Sequence, residues 1–412
     1  MEGGAASHAN WVYDSPVHSD VEAKLRSFLV DLRKEDKILG IQICAYKDGE
    51  VIIDTAAGVL GKDDPRPVQL DSLFPLFSVT KGVVAGMVHW LADKGKLKLD
   101  ENVANFWPEF GTNGKEQTKV NHILNHTSGL HNALAGISKE NPTLFCDFDK
   151  CLESIAKVAP ETEPGREQFY HYLSFGWLCG GIIERVSGKK LMDVLAEAFL
   201  RPLNIEGELY IGIPSGVESR LATVTIDTNE QNRSSQHTET KKSGSAATPV
   251  PSSLTFNLLL SLIPLINTPD VRRAIIPAYN LHASARALAR YYAALVDVDD
   301  KIFTNTKAKI HDAILASGDY KDLILQNGKM GLGFLRLQET DGSLIGFGHG
   351  GLGGSTAYCD INNRFAISVT LNLASSGALT GEIIRFICEE LDLPVPEDYA
   401  ASRDFVAKPK IN

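Results

Sequence analysis

Ser78 and Lys81, in the segment Phe77-Ser78-Val79-Thr80-Lys81-Gly82, form an S-x-x-K pair at the start of a helical pattern. On a helix the i, i+3 spacing puts both side chains on one face, one turn apart, so the amine reaches the hydroxyl. A serine hydroxyl is a weak nucleophile until a neighbour takes its proton. Partial burial and the positive end of the helix both disfavour an ammonium, lowering the lysine pKa toward that of a usable base. A capping serine followed by a surface lysine gives the same four letters. Gly82, Val83, Val84, Ala85 and Gly86 come next, however, and they describe a packed helix more than a solvated one.

Other catalytic signatures are missing. No serine lies in G-x-S-x-G, and neither H-E-x-x-H, H-x-H-x-D-H nor a Walker or Rossmann glycine pattern occurs. His122, His126 and His131 form a loose cluster whose spacing suits hydrogen-bonded structural histidines better than metal ligands. No metal and no cofactor is expected. Cys44, Cys146, Cys151, Cys179, Cys359 and Cys388 are scattered without a C-x-x-C pair and read as free, mostly buried thiols.

The elements that position Ser78 and Lys81 follow from periodicity. Val21, Leu25, Phe28, Leu29 and Leu32 recur at helical spacing within Val17 to Lys37. Ile38 to Tyr46 and Val51 to Ala57 are β-rich runs joined across Lys47-Asp48-Gly49-Glu50, a hairpin signal. The helix that carries Lys81 runs from Val79 to near Gly95, and further helices are expected over Gly176 to Ser187, Leu191 to Leu200 and Ser284 to Val296. Strands return at Gly333 to Leu337, Leu344 to Gly348, Thr356 to Asp360 and Arg364 to Leu373, and a helix over Leu379 to Leu391 closes the pattern.

An α/β fold follows, with one antiparallel sheet built from both ends of the chain, flanked by helices and carrying an inserted, mostly helical domain. The expected division is 17–95 with 325–395 as the sheet domain and 96–324 as the insertion. A polar stretch over 228–253 reads as a mobile loop, and the apolar run 254–266 as a core helix or a flap over a cleft. A net charge of −10 argues against a nucleic-acid partner and against an anionic membrane surface. The N-terminal residues lack a secretory pattern and no segment is long enough to span a bilayer, so a cytoplasmic protein is expected.

Four segments carry a family resemblance. Ser78-Val79-Thr80-Lys81 is similar to the nucleophile motif of the class C β-lactamases, and His122-Ile123-Leu124-Asn125-His126-Thr127-Ser128-Gly129-Leu130 to their L-L-x-H-T-S-G-L run. Phe169-Tyr170-His171-Tyr172-Leu173-Ser174-Phe175-Gly176-Trp177-Leu178 resembles the Y-H-x-L-x-F-G-W-L of family VIII carboxylesterases, which share the fold. Phe347-Gly348-His349-Gly350-Gly351-Leu352-Gly353-Gly354-Ser355 stands where β-lactamases have K-T-G. The likeness covers roughly Ile38 to Leu391 and extends to D-alanyl peptidases and to a plant β-lactamase-like domain fused to atypical kinases.

The resemblance implies roles. Tyr170 would shuttle the proton between nucleophile and leaving group. Tyr172 replaces an asparagine that helps hold a β-lactam side chain, and His349 replaces a lysine that grips a substrate carboxylate. A mostly neutral imidazole attracts an anion less than an ammonium does, so the substrate need not be acidic. Gly350 and Gly351 let the strand approach a ligand, and the N–H groups of Ser78 and Leu352 are the expected oxyanion donors, contributing about 3 kcal/mol each. The implied activity is ester hydrolysis on a small-molecule ester or acyl substrate. An acyltransferase with the same Ser/Lys/Tyr site, a weak β-lactamase or D-alanyl peptidase, and a non-catalytic binding scaffold are the alternatives.

Overall fold

The computed structural model describes residues 11–226, 265–296, 302–303, 307–323, 328–374 and 377–400. The loop expected over 228–253 and all of 254–266 except Leu265 and Ile266 lie outside the described residues.

The first hairpin starts the central sheet. Strands β1 (Gly40–Lys47) and β2 (Glu50–Gly61) are joined through Asp48 and Gly49, both in left-handed backbone with φ of 53° and 86°. Two successive positive φ values make a turn whose twist matches the flanking strands, and Asp-Gly reaches it at low cost. A short β3 (Asp64–Pro67) extends this edge. Late in the chain β4 (Leu335–Gln338), β5 (Leu344–Gly350), β6 (Thr356–Asp360) and β7 (Phe365–Leu371) form an antiparallel meander. The halves join where β1 pairs with β7, from Ile41 opposite Leu371 to Lys47 opposite Phe365. The product is a seven-stranded sheet in the order β3-β2-β1-β7-β6-β5-β4.

Five helices matter for the site: α1 (Asp20–Lys34), α2 (Val79–Asp93), α3 (Ser174–Ser187), α4 (Ala285–Val296) and α5 (Ala378–Glu390). Strand alternation gives the sheet two buried faces. On one, Ile41, Ile43, Ile367 and Val369 pack with Leu25, Leu29 and Leu32 of α1 and Ile383, Ile384 and Ile387 of α5. On the other, α4 lies across β1, β6 and β7, with Ala285 and Ala289 against Cys44.

Helix α2 is enclosed on all sides, with every residue from Val79 to His89 buried, as befits a helix that is apolar around its whole circumference. Its glycines let α4 come close: the Tyr291 hydroxyl donates to the Gly82 carbonyl at 3.0 Å, and a Cβ on Gly86 would lie 2.0 Å from the same hydroxyl. Among the described residues no helix is long and apolar enough to cross a membrane.

Two features depart from the periodicity reading. The helix expected over Leu191 to Leu200 is α-helical only to Leu195 and then widens into a π-type turn over Ala196–Leu200. A three-stranded sheet forms from Phe74–Pro75, Leu281–Ala283 and Leu209–Ile211, with Leu281–Ala283 in the centre, and two of its strands fall in the stretch 96–324 expected to be mostly helical. Segments of two and three residues are too short to show a period.

Gly86→Ala tests the packing of α2 on α4. Alanine gains up to about 1 kcal/mol of helix propensity, and overpacking costs roughly 1–3 kcal/mol. With the contact at 2.0 Å the second effect wins, and calorimetry is expected to show a lower Tm.

Candidate active site

The small sheet delivers the chain to α2 through Phe77, a non-glycine residue in left-handed backbone with φ of 49°. That conformation costs an L residue about 1–2 kcal/mol. Its surroundings hold it: the Phe77 ring sits edge-on to Tyr279 at 5.2 Å, and its backbone bridges to Asn280. The sharp turn leaves Ser78 at the N-cap of α2, 8% exposed.

Lys81, one turn along, is fully buried. Its Nζ lies 3.0 Å from Ser78 Oγ and donates to the Ala278 carbonyl at 2.9 Å. Burial pulls its pKa from 10.5 to about 7, and among the described residues no carboxylate acts on it in the opposite sense. With one amine hydrogen directed to Ala278, the neutral form has its lone pair available for the serine proton. The expected depression is present, and burial is its main cause.

Tyr170 comes from the irregular segment ahead of α3. Its hydroxyl lies 3.4 Å from His349 Nε2 and close enough to Ser78 for that side chain to act on its pKa, and Lys81 Nζ is 5.1 Å from its ring centroid. Enclosure pushes the phenol pKa upward, so the group rests protonated at neutral pH. His349, near the end of β5, is buried, which drives its pKa down to about 3. Its Nδ1 is 2.8 Å from the Gly350 carbonyl. A carbonyl only accepts, so Nδ1 carries the hydrogen and Nε2 presents a lone pair to Tyr170.

The end of β5 comes up against the segment that carries Ser78. A Cβ on Gly351 would lie 2.4 Å from the Leu76 carbonyl and 3.4 Å from Val79 Cγ2, so glycine is required there. Among the described residues nothing accepts the N–H of Ser78 or of Leu352. Tyr172 is half-buried and meets Tyr170 edge-on, with centroids 4.9 Å apart at 85°. A cavity of about 310 Å³ opens beside Gly350, Gly351 and Leu352 and reaches Thr380 and Tyr399.

Ser78, Lys81, Tyr170 and His349 are thus brought together, Gly350 fixes the His349 tautomer, and Gly351 and Leu352 lie alongside. Sequence reading missed Phe77 and Ala278, whose contributions are a backbone angle and a backbone carbonyl. It read His126 as a structural histidine, and the ring packs on Tyr170 with centroids 4.8 Å apart. Of the other clustered histidines, His122 Nδ1 accepts the Lys119 N–H at 3.2 Å and His131 meets the Glu161 carboxylate at 3.2 Å.

Comparison with known proteins places the chain in a family. The beta-lactamase family model matches residues 25–387, and the chain belongs to that family. It is similar to Esterase/beta-lactamase LipL of Mycobacterium tuberculosis, 28% identical over 344 residues, covering 81% of this chain and 77% of that protein. A penicillin-binding protein homologue from Caulobacter crescentus superposes with a TM-score of 0.69 at 28% identity, over 88% of this chain and 94% of the other. A family VIII carboxylesterase superposes with a TM-score of 0.70 at 23% identity, over the same shares. The expected fold, with its sheet drawn from both ends of the chain, is the one observed.

Lys81→Met isolates the energetics of the buried amine. A pKa lowered from 10.5 to about 7 corresponds to roughly 5 kcal/mol of destabilisation below about pH 7, where folded and unfolded chains both bind the proton. Losing the bond to Ala278 returns about 1–3 kcal/mol, so removal stabilises. Between about pH 7 and 10.5 the unfolded chain binds the proton and the folded chain does not, so wild-type stability from this group rises with pH. The Tm gain of the variant is therefore expected to be largest below about pH 7 and to shrink toward pH 10, as read by thermal melts across that range.

Proposed function

We propose that this protein is a serine ester hydrolase that acts on small, uncharged esters through an acyl-serine intermediate. The observation that carries this reading is the fully buried Lys81 amine, 3.0 Å from Ser78 Oγ, with a pKa brought to about 7. The naming of the similar LipL as an esterase/beta-lactamase supports it.

Neutral Lys81 takes the Ser78 proton as Oγ attacks the ester carbonyl carbon, and the oxyanion turns to the N–H groups of Ser78 and Leu352. Tyr170 gives its proton to the departing alkoxide and is left as a phenolate beside the Lys81 ammonium. In deacylation the phenolate takes a proton from the attacking water, and Lys81 returns its proton to Ser78 Oγ as the acid leaves. An alcohol in place of that water gives transesterification by the same groups. The opposite displacements of the two pKa values support this assignment of base and acid.

Uncharged substrates follow from His349. A histidine whose pKa is about 3 offers no positive charge to a substrate carboxylate, and Tyr172 offers no amide to an acylamino chain.

The test is labelling with a fluorophosphonate and turnover of p-nitrophenyl acetate by wild type and Ser78→Ala. Wild type is expected to label and turn over, and the variant to lose label and to fall by about 10³-fold or more in kcat/KM. Equal labelling of both proteins would reduce the chain to a binding scaffold.

A further inference from the structure

Tyr170 acts from a stretch with no helix or strand of its own, between 160 and 173, yet its oxygen must be held to within a fraction of an ångström of Ser78. The restraints come from the segment 125–128. The Gln168 side chain donates to the Asn125 carbonyl at 2.7 Å, the Phe169 N–H to the His126 carbonyl at 3.0 Å, and the Gly165 N–H to the Thr127 carbonyl at 2.8 Å. On the far side of Tyr170, the His171 N–H donates to His126 Nδ1 at 3.0 Å.

The His171 side chain closes the loop. It is fully buried, with Nδ1 2.6 Å from the Phe169 carbonyl and Nε2 2.7 Å from Ser128 Oγ, itself fully buried. The Phe169 carbonyl only accepts, so Nδ1 carries the hydrogen. Nε2 then accepts the Ser128 hydroxyl. One imidazole thereby ties the residue before Tyr170 to a serine that lies 43 positions ahead of the imidazole itself. His126 completes the seat: its Nδ1 is taken by the His171 amide, and its ring is layered between Tyr170 at 4.8 Å and Phe175 at 4.7 Å.

We infer that Ser128 and His171 are positioning residues that hold the Tyr170 phenol at the leaving-group side of Ser78. Neither touches substrate in this assignment, and both act through the backbone on either side of Tyr170. The inference rests on the acyl-serine reading, because the value of a fixed phenol is the proton it delivers to an alkoxide. A buried serine–histidine pair that served packing alone would make the same hydrogen bonds, so the test has to depend on that proton.

Ester pairs with one acyl group and two leaving groups supply the dependence. p-Nitrophenolate departs without a proton, whereas ethoxide needs one. Ser128→Ala and His171→Phe are compared with wild type and Tyr170→Phe on p-nitrophenyl acetate and ethyl acetate, with thermal melts alongside. Ser128→Ala removes one oxygen and serves if His171→Phe fails to fold. Expected is a loss in kcat/KM, which reports acylation alone and leaves out the shared deacylation that also uses Tyr170, of about 10²-fold on the ethyl ester and less than about threefold on the aryl ester. Tyr170→Phe is expected to show the same selectivity, more strongly. A parallel loss on both esters, or none on either, would overturn the positioning role.

If wild type hydrolyses neither ester, the hydrolase reading fails by itself. The structure of Ser128→Ala then still decides the clamp. Displacement of the Tyr170 oxygen from Ser78 by about 1 Å or more supports it, and an unmoved phenol rejects it.

Discussion

An ammonium ion enclosed by protein loses hydration that only an opposite charge or several strong acceptors can replace. Lys81 is enclosed with the Ala278 carbonyl and the Ser78 hydroxyl, and among the described residues no carboxylate offsets the loss. The amine therefore sheds its proton near neutral pH, and in the proposed mechanism what would be a structural liability serves as a base beside Ser78. Much of the surrounding fold maintains this enclosure. Helix α2 is buried on every side, α4 is drawn in against Gly82 and Gly86, and the segment with Ala278 closes over the amine.

The same enclosure sets the other groups. It raises the Tyr170 phenol and lowers His349, so that above about pH 7 the resting site holds a neutral amine, a neutral phenol and a neutral imidazole. A site without fixed charge does not attract ions, and charge develops in it only as the reaction proceeds. In the proposed reaction the N–H groups of Ser78 and Leu352 meet the oxyanion, where a low dielectric strengthens their effect. The strained Phe77 is part of the same arrangement, since a relaxed backbone there would not turn Ser78 onto the end of α2.

Much of this was legible in the residues. The Asp48-Gly49 hairpin, the alternation of β1 and β7 and the helical spacing after Ser78 each carry a local signal, and each element forms within a few residues of its expected limits. Ser78 and Lys81 were legible because their proximity is set by one helical turn. Tyr170 and His349 were legible only through family likeness, because their distance from Ser78 depends on tertiary packing. Phe77 and Ala278 had no signature at all: a φ angle and a carbonyl leave no mark on residue type. Ser128 and His171 fall between, present in two family-like segments and linked only once 125–128 and 165–171 lie side by side.

Direct titration of the Lys81 amine tests the central claim most closely. Heteronuclear NMR on protein carrying labelled lysine, with the Lys81 signal assigned by its loss in Lys81→Met, reports the protonation state without reference to any substrate. A midpoint near pH 7 is expected from a buried amine with no opposing charge. A midpoint near the ordinary lysine value of 10.5 would contradict it, leaving an ammonium beside Ser78 and no group to take the serine proton.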